Sequence, residues 1–286
     1  MPELPEVETV RRRLEPALTG RRIVALTVAD ATVSAQTGAE LRHLALGRDV
    51  ARLRRRGKYL IVDLEEGILV VHLRMTGQLL FERPPTPRRP RFTIEFDDGS
   101  FLHFFDVRRF GRLWALRDEA ELEHFFAELG VEPLSPGFST ARLRALLDGR
   151  RAPLKAFLLD QRRIAGVGNI YADEALFRAG LHPLRPAGSV GPRGAGRLRE
   201  ALVETLELGI AQAGTSVDSF VDPEGASGSF QEILNVYQRT GEPCRRCGTP
   251  IQRVVVGGRG THFCPRCQPK RRMGRHAAGA KARGTT

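Results

Sequence analysis

Asp160 to Pro183 reads DQRRIAGVGNIYADEALFRAGLHP, and this stretch decides the second half of the fold. Ala165-Gly166-Val167-Gly168-Asn169 stops one helical pattern and opens the next, Ile170 to Ala179. Gly166, Gly168 and Asn169 therefore lead into a helix N-terminus, where free N–H groups bind anions. The same residues also read as a plain glycine turn. Helical spacing continues to either side, over Arg142 to Leu147, Pro153 to Leu159 and Gly194 to Ala213. From Gly214 to Phe230 the chain becomes rich in Gly, Ser, Asp and Pro and reads as a long loop. A loop of that length is functional or disordered.

Upstream the period changes. Ile23 to Val28, Val50 to Leu53, Tyr59 to Leu64, Ile68 to Leu73 and Gln78 to Phe81 read as short strands. So do Phe92 to Phe96, Phe101 to Phe105 and Arg112 to Leu116. Turn signals at Glu65-Glu66-Gly67, Met75-Thr76-Gly77 and Asp97-Asp98-Gly99 separate several of them. Many short strands with close turns predict a β-sandwich or barrel. Arg83 to Pro90 is a Pro/Arg-rich loop, Glu119 to Glu128 is helical, and Gly130 to Gly137 reads as a linker. There is no internal repeat.

The opening, MPELPEVETVRR, has two readings. Val7, Val10, Leu14 and Leu18 recur at helical spacing, Pro5 suits a first turn, and Gly20 suits the end. Glu6 and Glu8 complement the dipole of such a helix. The other reading is chemical. Loss of Met1 leaves Pro2 as a secondary amine, with a reference pKa near ~8 for an α-amino group. Such an amine can attack an electrophilic carbon and form an iminium. Glu3 and Glu6 stand beside it to move protons.

The chain has 286 residues, 41% of them hydrophobic, enough for a real core and more than one domain. No apolar run approaches a membrane span and no charged-then-apolar leader opens the sequence, so a cytosolic protein is expected. The net charge of +12 favours a polyanionic partner. Half of that surplus lies beyond residue 267, in a tail that reads as disordered. The four cysteines, Cys244, Cys247, Cys264 and Cys267, form two C-x-x-C pairs flanking a hairpin pattern. Two disulfides would also use four thiols. In a cytosolic chain the spacing points to one structural zinc ion.

Three motifs together carry a resemblance: MPELPEVETVRR, the 160–183 stretch, and the four-cysteine hairpin with Arg259-Gly260-Thr261-His262-Phe263-Cys264. They closely resemble the formamidopyrimidine-DNA glycosylases over residues 1 to about 268. The resemblance implies an α+β multidomain fold. Its parts are a β-sandwich with an opening helix over 1–130, a linker over 131–138, a helix–two-turn–helix domain with lesion loop over 139–238, a zinc finger over 239–268 and a basic tail over 269–286. It implies excision of oxidised purines from double-stranded DNA and strand cleavage by β,δ-elimination, by a monomer.

By the same resemblance Pro2 is the nucleophile at C1′, Glu3 the general acid/base, and Glu6 a supporting carboxylate. Lys58 assists β-elimination and grips phosphate, although alone it reads as one more charge in the run Arg52, Arg54, Arg55, Arg56. Arg259 serves δ-elimination and Asn169 binds phosphate. Lys155 is a DNA-contacting or damage-recognising lysine, and Arg150 a phosphate contact. Met75, Arg108 and Phe110 fill the hole left by the flipped base, and Arg108 reads the partner base. Loop 216–230 is expected to close flexibly over that base. Where the family often carries histidines this chain has Arg88-Arg89-Pro90-Arg91, which leaves Arg89 for the phosphate role. Two rivals remain at this point: an endonuclease VIII-like enzyme for oxidised pyrimidines, and a noncatalytic zinc-finger protein that binds DNA damage.

Overall fold

The computed structural model describes residues 1–82, 89–217 and 220–270. The basic tail beyond Lys270, most of the Pro/Arg-rich loop and two residues of the lesion loop lie outside the described residues.

Eight strands form two antiparallel four-stranded sheets. The first is ordered β1 (Ile23–Val28), β6 (Phe92–Phe96), β7 (Phe101–Asp106) and β5 (Gly77–Glu82). The second is ordered β2 (Val50–Arg56), β3 (Tyr59–Leu64), β4 (Ile68–His72) and β8 (Arg112–Leu116). Alternation explains the sandwich: in β6, Phe92, Ile94 and Phe96 point inward while Thr93 and Glu95 are half-exposed. Leu60, Val62, Leu69 and Val71 face them from the other sheet, in one continuous core. Each fully buried side chain of this size contributes about 1.5–3 kcal/mol.

Helix α1 (Leu4–Leu18) sends Val7, Val10, Leu14 and Leu18 into that core. Gly20 follows it with φ +81°, the left-handed step that ends the helix. Leu4 belongs elsewhere: it packs in a second core with Phe157, Val167, Ile170 and Leu202. The sequence reading omitted α2 (Gly38–Ala45), whose Thr37 and Glu40 form a capping box. Helix α3 (Glu119–Phe125) closes the outer face of the second sheet.

The second core is helical: α4 (Thr140–Leu147), α5 (Leu154–Leu159), α6 (Asn169–Ala179) and α7 (Pro192–Ala211). The expected linker packs closely. Gly130 N–H donates to the Gln161 carbonyl, and Glu132 accepts the Gly57 N–H at 2.7 Å and an ion pair from Arg55. The long loop is also anchored. Phe220 enters the sandwich core, Pro223 accepts the Phe81 N–H, and Asp222 lies 3.6 Å from Arg13. Hairpin β9 (Gln252–Val256) and β10 (Arg259–Phe263) completes the described chain.

Candidate active site and zinc centre

A cavity of about 340 Å³ opens where the two halves meet. Its walls carry Met1, Glu3, Lys58, Met75, Asn169 and Arg259, from five separate segments. The opening turn of α1 is held there by its own carboxylates. Glu6 accepts the Glu3 N–H at 2.7 Å, the Tyr171 hydroxyl at 2.7 Å and the Thr215 N–H at 2.8 Å. Burial raises its pKa and those three donors oppose the rise. Glu6 does not line the cavity; it fixes the residues that do.

Glu3 turns inward to the start of α6, where its Oε1 accepts the Ile170 N–H at 3.0 Å. Its other carboxylate oxygen is buried without a hydrogen-bond partner. The approach demands glycine at position 168, because a Cβ there would sit 2.3 Å from the Glu3 carboxyl carbon. Burial pushes the Glu3 pKa up to about 7; Lys58 opposes that rise and Glu6 adds to it. Lys58 is itself buried, and desolvation lowers its pKa against the pull of Glu3 and Glu6. A buried carboxyl near neutrality beside a depressed lysine is an acid/base pair that can act at physiological pH. Pro2 is buried between Met1 and Glu3, and Met1 occupies the cavity wall. Pro2 lies between two of the lining residues and does not itself line the cavity.

Asn169 heads α6, with its side-chain oxygen buried and unpartnered and its amide 3.5 Å from the Tyr237 hydroxyl. Arg259, at the start of β10, reaches the same cavity from the hairpin. His72, Gln161 and Tyr237 also line it, and the sequence reading named none of them. His72 is held neutral by burial, with its pKa down to about 3, and its Nδ1 accepts the Arg74 N–H.

Met75 borders the cavity, and Phe110 stands 47% exposed on the neighbouring turn. The guanidinium of Arg108 lies over the Phe110 ring at 5.1 Å, whereas Arg109 is committed to Asp30 at 2.8 Å. Arg89 and Arg150 are exposed and lie outside the cavity. Lys155, expected as a DNA-contacting or damage-recognising lysine, stands away from the cavity lining. It is fully buried, its Nζ 2.7 Å from Asp173 and donating to the Gly260 carbonyl at 2.9 Å. Asp173 also accepts the His262 N–H at 2.8 Å, so the pair ties α5 and α6 to the hairpin that carries Arg259.

The four cysteine sulfurs lie within 4.8 Å of one another, with Cys244–Cys267 at 3.9 Å and Cys247–Cys264 at 3.5 Å. Disulfides require about 2.05 Å. A tetrahedron of Zn–S bonds of ~2.3 Å has edges of about 3.8 Å, so the sulfurs fit one structural zinc ion.

The comparisons with known proteins follow this architecture. Residues 1–113 match the formamidopyrimidine-DNA glycosylase N-terminal domain, 129–221 its H2TH domain, and 241–270 the zinc finger found in FPG and IleRS. The formamidopyrimidine-DNA glycosylase of Methylococcus capsulatus is 45% identical over 94% of this chain and all of that protein. The chain belongs to the formamidopyrimidine-DNA glycosylase family. The Moorella thermoacetica glycosylase is 51% identical over 89% of the chain and 94% of its own length. Among solved structures, Lactococcus lactis Fpg in complex with abasic-site DNA superposes with a TM-score of 0.88. It is 35% identical, covering 94% of this chain and all of that one. The Thermus thermophilus Fpg protein gives 0.85 at 45% identity, covering 95% and 100%.

Proposed function

We propose that this glycosylase works through an amine at residue 2, excising oxidised purines from DNA and cleaving the strand as an abasic-site lyase. The Pro2 nitrogen attacks C1′ as the glycosidic bond breaks, and Glu3 delivers a proton to the sugar-ring oxygen so that the ring opens to an iminium. Lys58 takes the C2′ proton for β-elimination, and Arg259 assists departure of the second phosphate. Asn169 and the N-terminus of α6 hold backbone phosphate. Met75, Arg108 and Phe110 enter the stack as the base leaves, offsetting an unstacking cost of a few kcal/mol.

The observation that carries this reading is the meeting of Glu3, Lys58, Asn169 and Arg259 around the Pro2 turn in one cavity. Catalysis is assigned to residues 1–130, with 131–138 linking to the 139–238 DNA-binding domain, the 239–268 finger and the 269–286 tail. A single chain supplies the whole cavity, which suits a monomer in the cytoplasm, on nucleoid DNA. No helix among the described residues is long and apolar enough to cross a membrane. The zinc ion belongs to the finger and takes no part in these steps.

Borohydride trapping tests the amine. A duplex with 8-oxoguanine opposite cytosine should give a covalent complex that is greatly weakened in Pro2→Gly. No complex, with DNA binding intact, overturns the mechanism in favour of a binding protein. Lactococcus lactis Fpg has also been solved with DNA containing an oxidised pyrimidine. Preferred cleavage of thymine glycol over 8-oxoguanine would therefore move the substrate assignment to pyrimidines.

A further inference from the structure

The turns that carry Met75, Arg108 and Phe110 both cross between the two sheets. β4 ends in the second sheet and β5 begins in the first; β7 ends in the first and β8 begins in the second. The pairing sets Gly77 opposite Asp106 and His72 opposite Arg112, so the crossings run side by side. Phe104 fills the space between them. A Cβ at Gly77 would come within 2.9 Å of that ring, and one at Gly111 within 2.3 Å.

One carboxylate joins the turns. Asp106 accepts the Thr76 hydroxyl from the first, and the Arg108 N–H at 3.2 Å and Gly111 N–H at 2.6 Å from the second. Its side chain is wholly buried, and a buried carboxylate requires a cationic or hydrogen-bonded partner. Arg91, only 5% exposed, supplies one. Its Nη1 lies 3.5 Å from Asp106 and donates to the Gly111 carbonyl at 2.9 Å. Its Nε donates to Asp30 at 2.9 Å and its Nη2 to Thr32 at 3.0 Å. Asp30 in turn accepts Arg109, whose backbone is left-handed at φ +59°. That conformation is unfavourable for a residue with a Cβ and persists only where its surroundings hold it.

We infer that Arg91 is a positioning residue for base eversion: it locks the second crossing turn so that Arg108 and Phe110 stand ready to fill the void and read the opposite base. The inference rests on the void-filling role assigned above to those side chains. Arg91 touches no substrate. Only a planar fork reaches acceptors on two separate segments at once, Asp30 with Thr32 and Asp106 with Gly111; a lysine ammonium is a single point. Without that fork the turn must be ordered afresh at each eversion. Excision from a duplex then slows, and the preference for cytosine opposite the lesion narrows. Strand cleavage at an abasic site in single-stranded DNA leaves no void to fill and does not depend on the lock.

The experiment compares wild type, Arg91→Gln and the milder Thr32→Val under single-turnover conditions. It measures excision of 8-oxoguanine opposite cytosine and opposite adenine in duplexes, and cleavage of a single-stranded abasic oligonucleotide. Loss of a positioning contact costs on the order of ten- to a hundredfold in rate. Arg91→Gln should show that loss on the cytosine duplex, a reduced cytosine-to-adenine ratio and unchanged single-strand cleavage. Thr32→Val should move the same way by less. Equal losses on all substrates would mean a general defect of folding and overturn the inference, as would unchanged excision and selectivity. A wild-type protein that cleaves neither substrate would instead remove the glycosylase reading itself.

Discussion

Replacing Lys155 by methionine keeps the length of the side chain and removes its charge. The ammonium is enclosed, 2.7 Å from Asp173, and the carboxylate that would remain is 1% exposed. Breaking such a buried pair on one side costs about 3–5 kcal/mol, because the other charge is left without a partner. That is a large part of a typical folding stability of about 5–15 kcal/mol. The double variant Lys155→Met/Asp173→Leu removes both charges; besides the Gly260 carbonyl, which either variant leaves without its Lys155 donor, it orphans the His262 N–H that Asp173 accepts. An unsatisfied buried donor costs about 1–3 kcal/mol, so the double variant should be more stable than the single one. Urea denaturation followed by circular dichroism at the helical band measures both. A single variant within 1 kcal/mol of wild type, or a double variant worse than the single, would refute the buried-pair assignment.

The Glu3 carboxyl, with its pKa pushed up to about 7 by burial, makes folding weaker as pH rises. Its stabilising contribution is complete below the unfolded value near 4.5 and is lost as pH climbs through about 7, so thermal scans of Glu3→Gln should show a flatter pH dependence over that window. The rate of imine formation should likewise lose an ionisation near pH 7 in the same variant, as read from its pH–rate profile. Stripping zinc with a chelator should collapse the hairpin, whose small core is Val236, Cys244, Ile251 and Cys264 against Phe177. Binding to abasic-site DNA should then fall and return on adding zinc, while near-ultraviolet signals from Trp114 in the sandwich stay unchanged.

Local patterns carried most of the fold. The β3 run Tyr59–Leu64, the β6 alternation and the α7 periodicity each state their conformation within a few residues, so period and turn chemistry sufficed. The miss at α2 was local too, since Thr37 and Glu40 spell a capping box ahead of Leu41 and Ala45. The site divided differently. Glu3, Lys58, Asn169 and Arg259 were found through motifs and do meet in one cavity. The burial of Lys155 was not legible, because a lysine reads as exposed unless its acid is known, and Asp173 reaches it only through the packing of α5 on α6. His72, Tyr237 and Arg91 look ordinary in sequence. Their significance comes from partners on other strands and loops, which no spacing rule announces.

Helix α1 has its first residue in the helical core and the remainder of its apolar stripe in the sandwich. This seam limits how such a molecule can change by recombination. A sandwich taken from one lineage and a helical domain from another would meet at a shared residue that neither had shaped, so Leu4 and its surroundings must be inherited as a set.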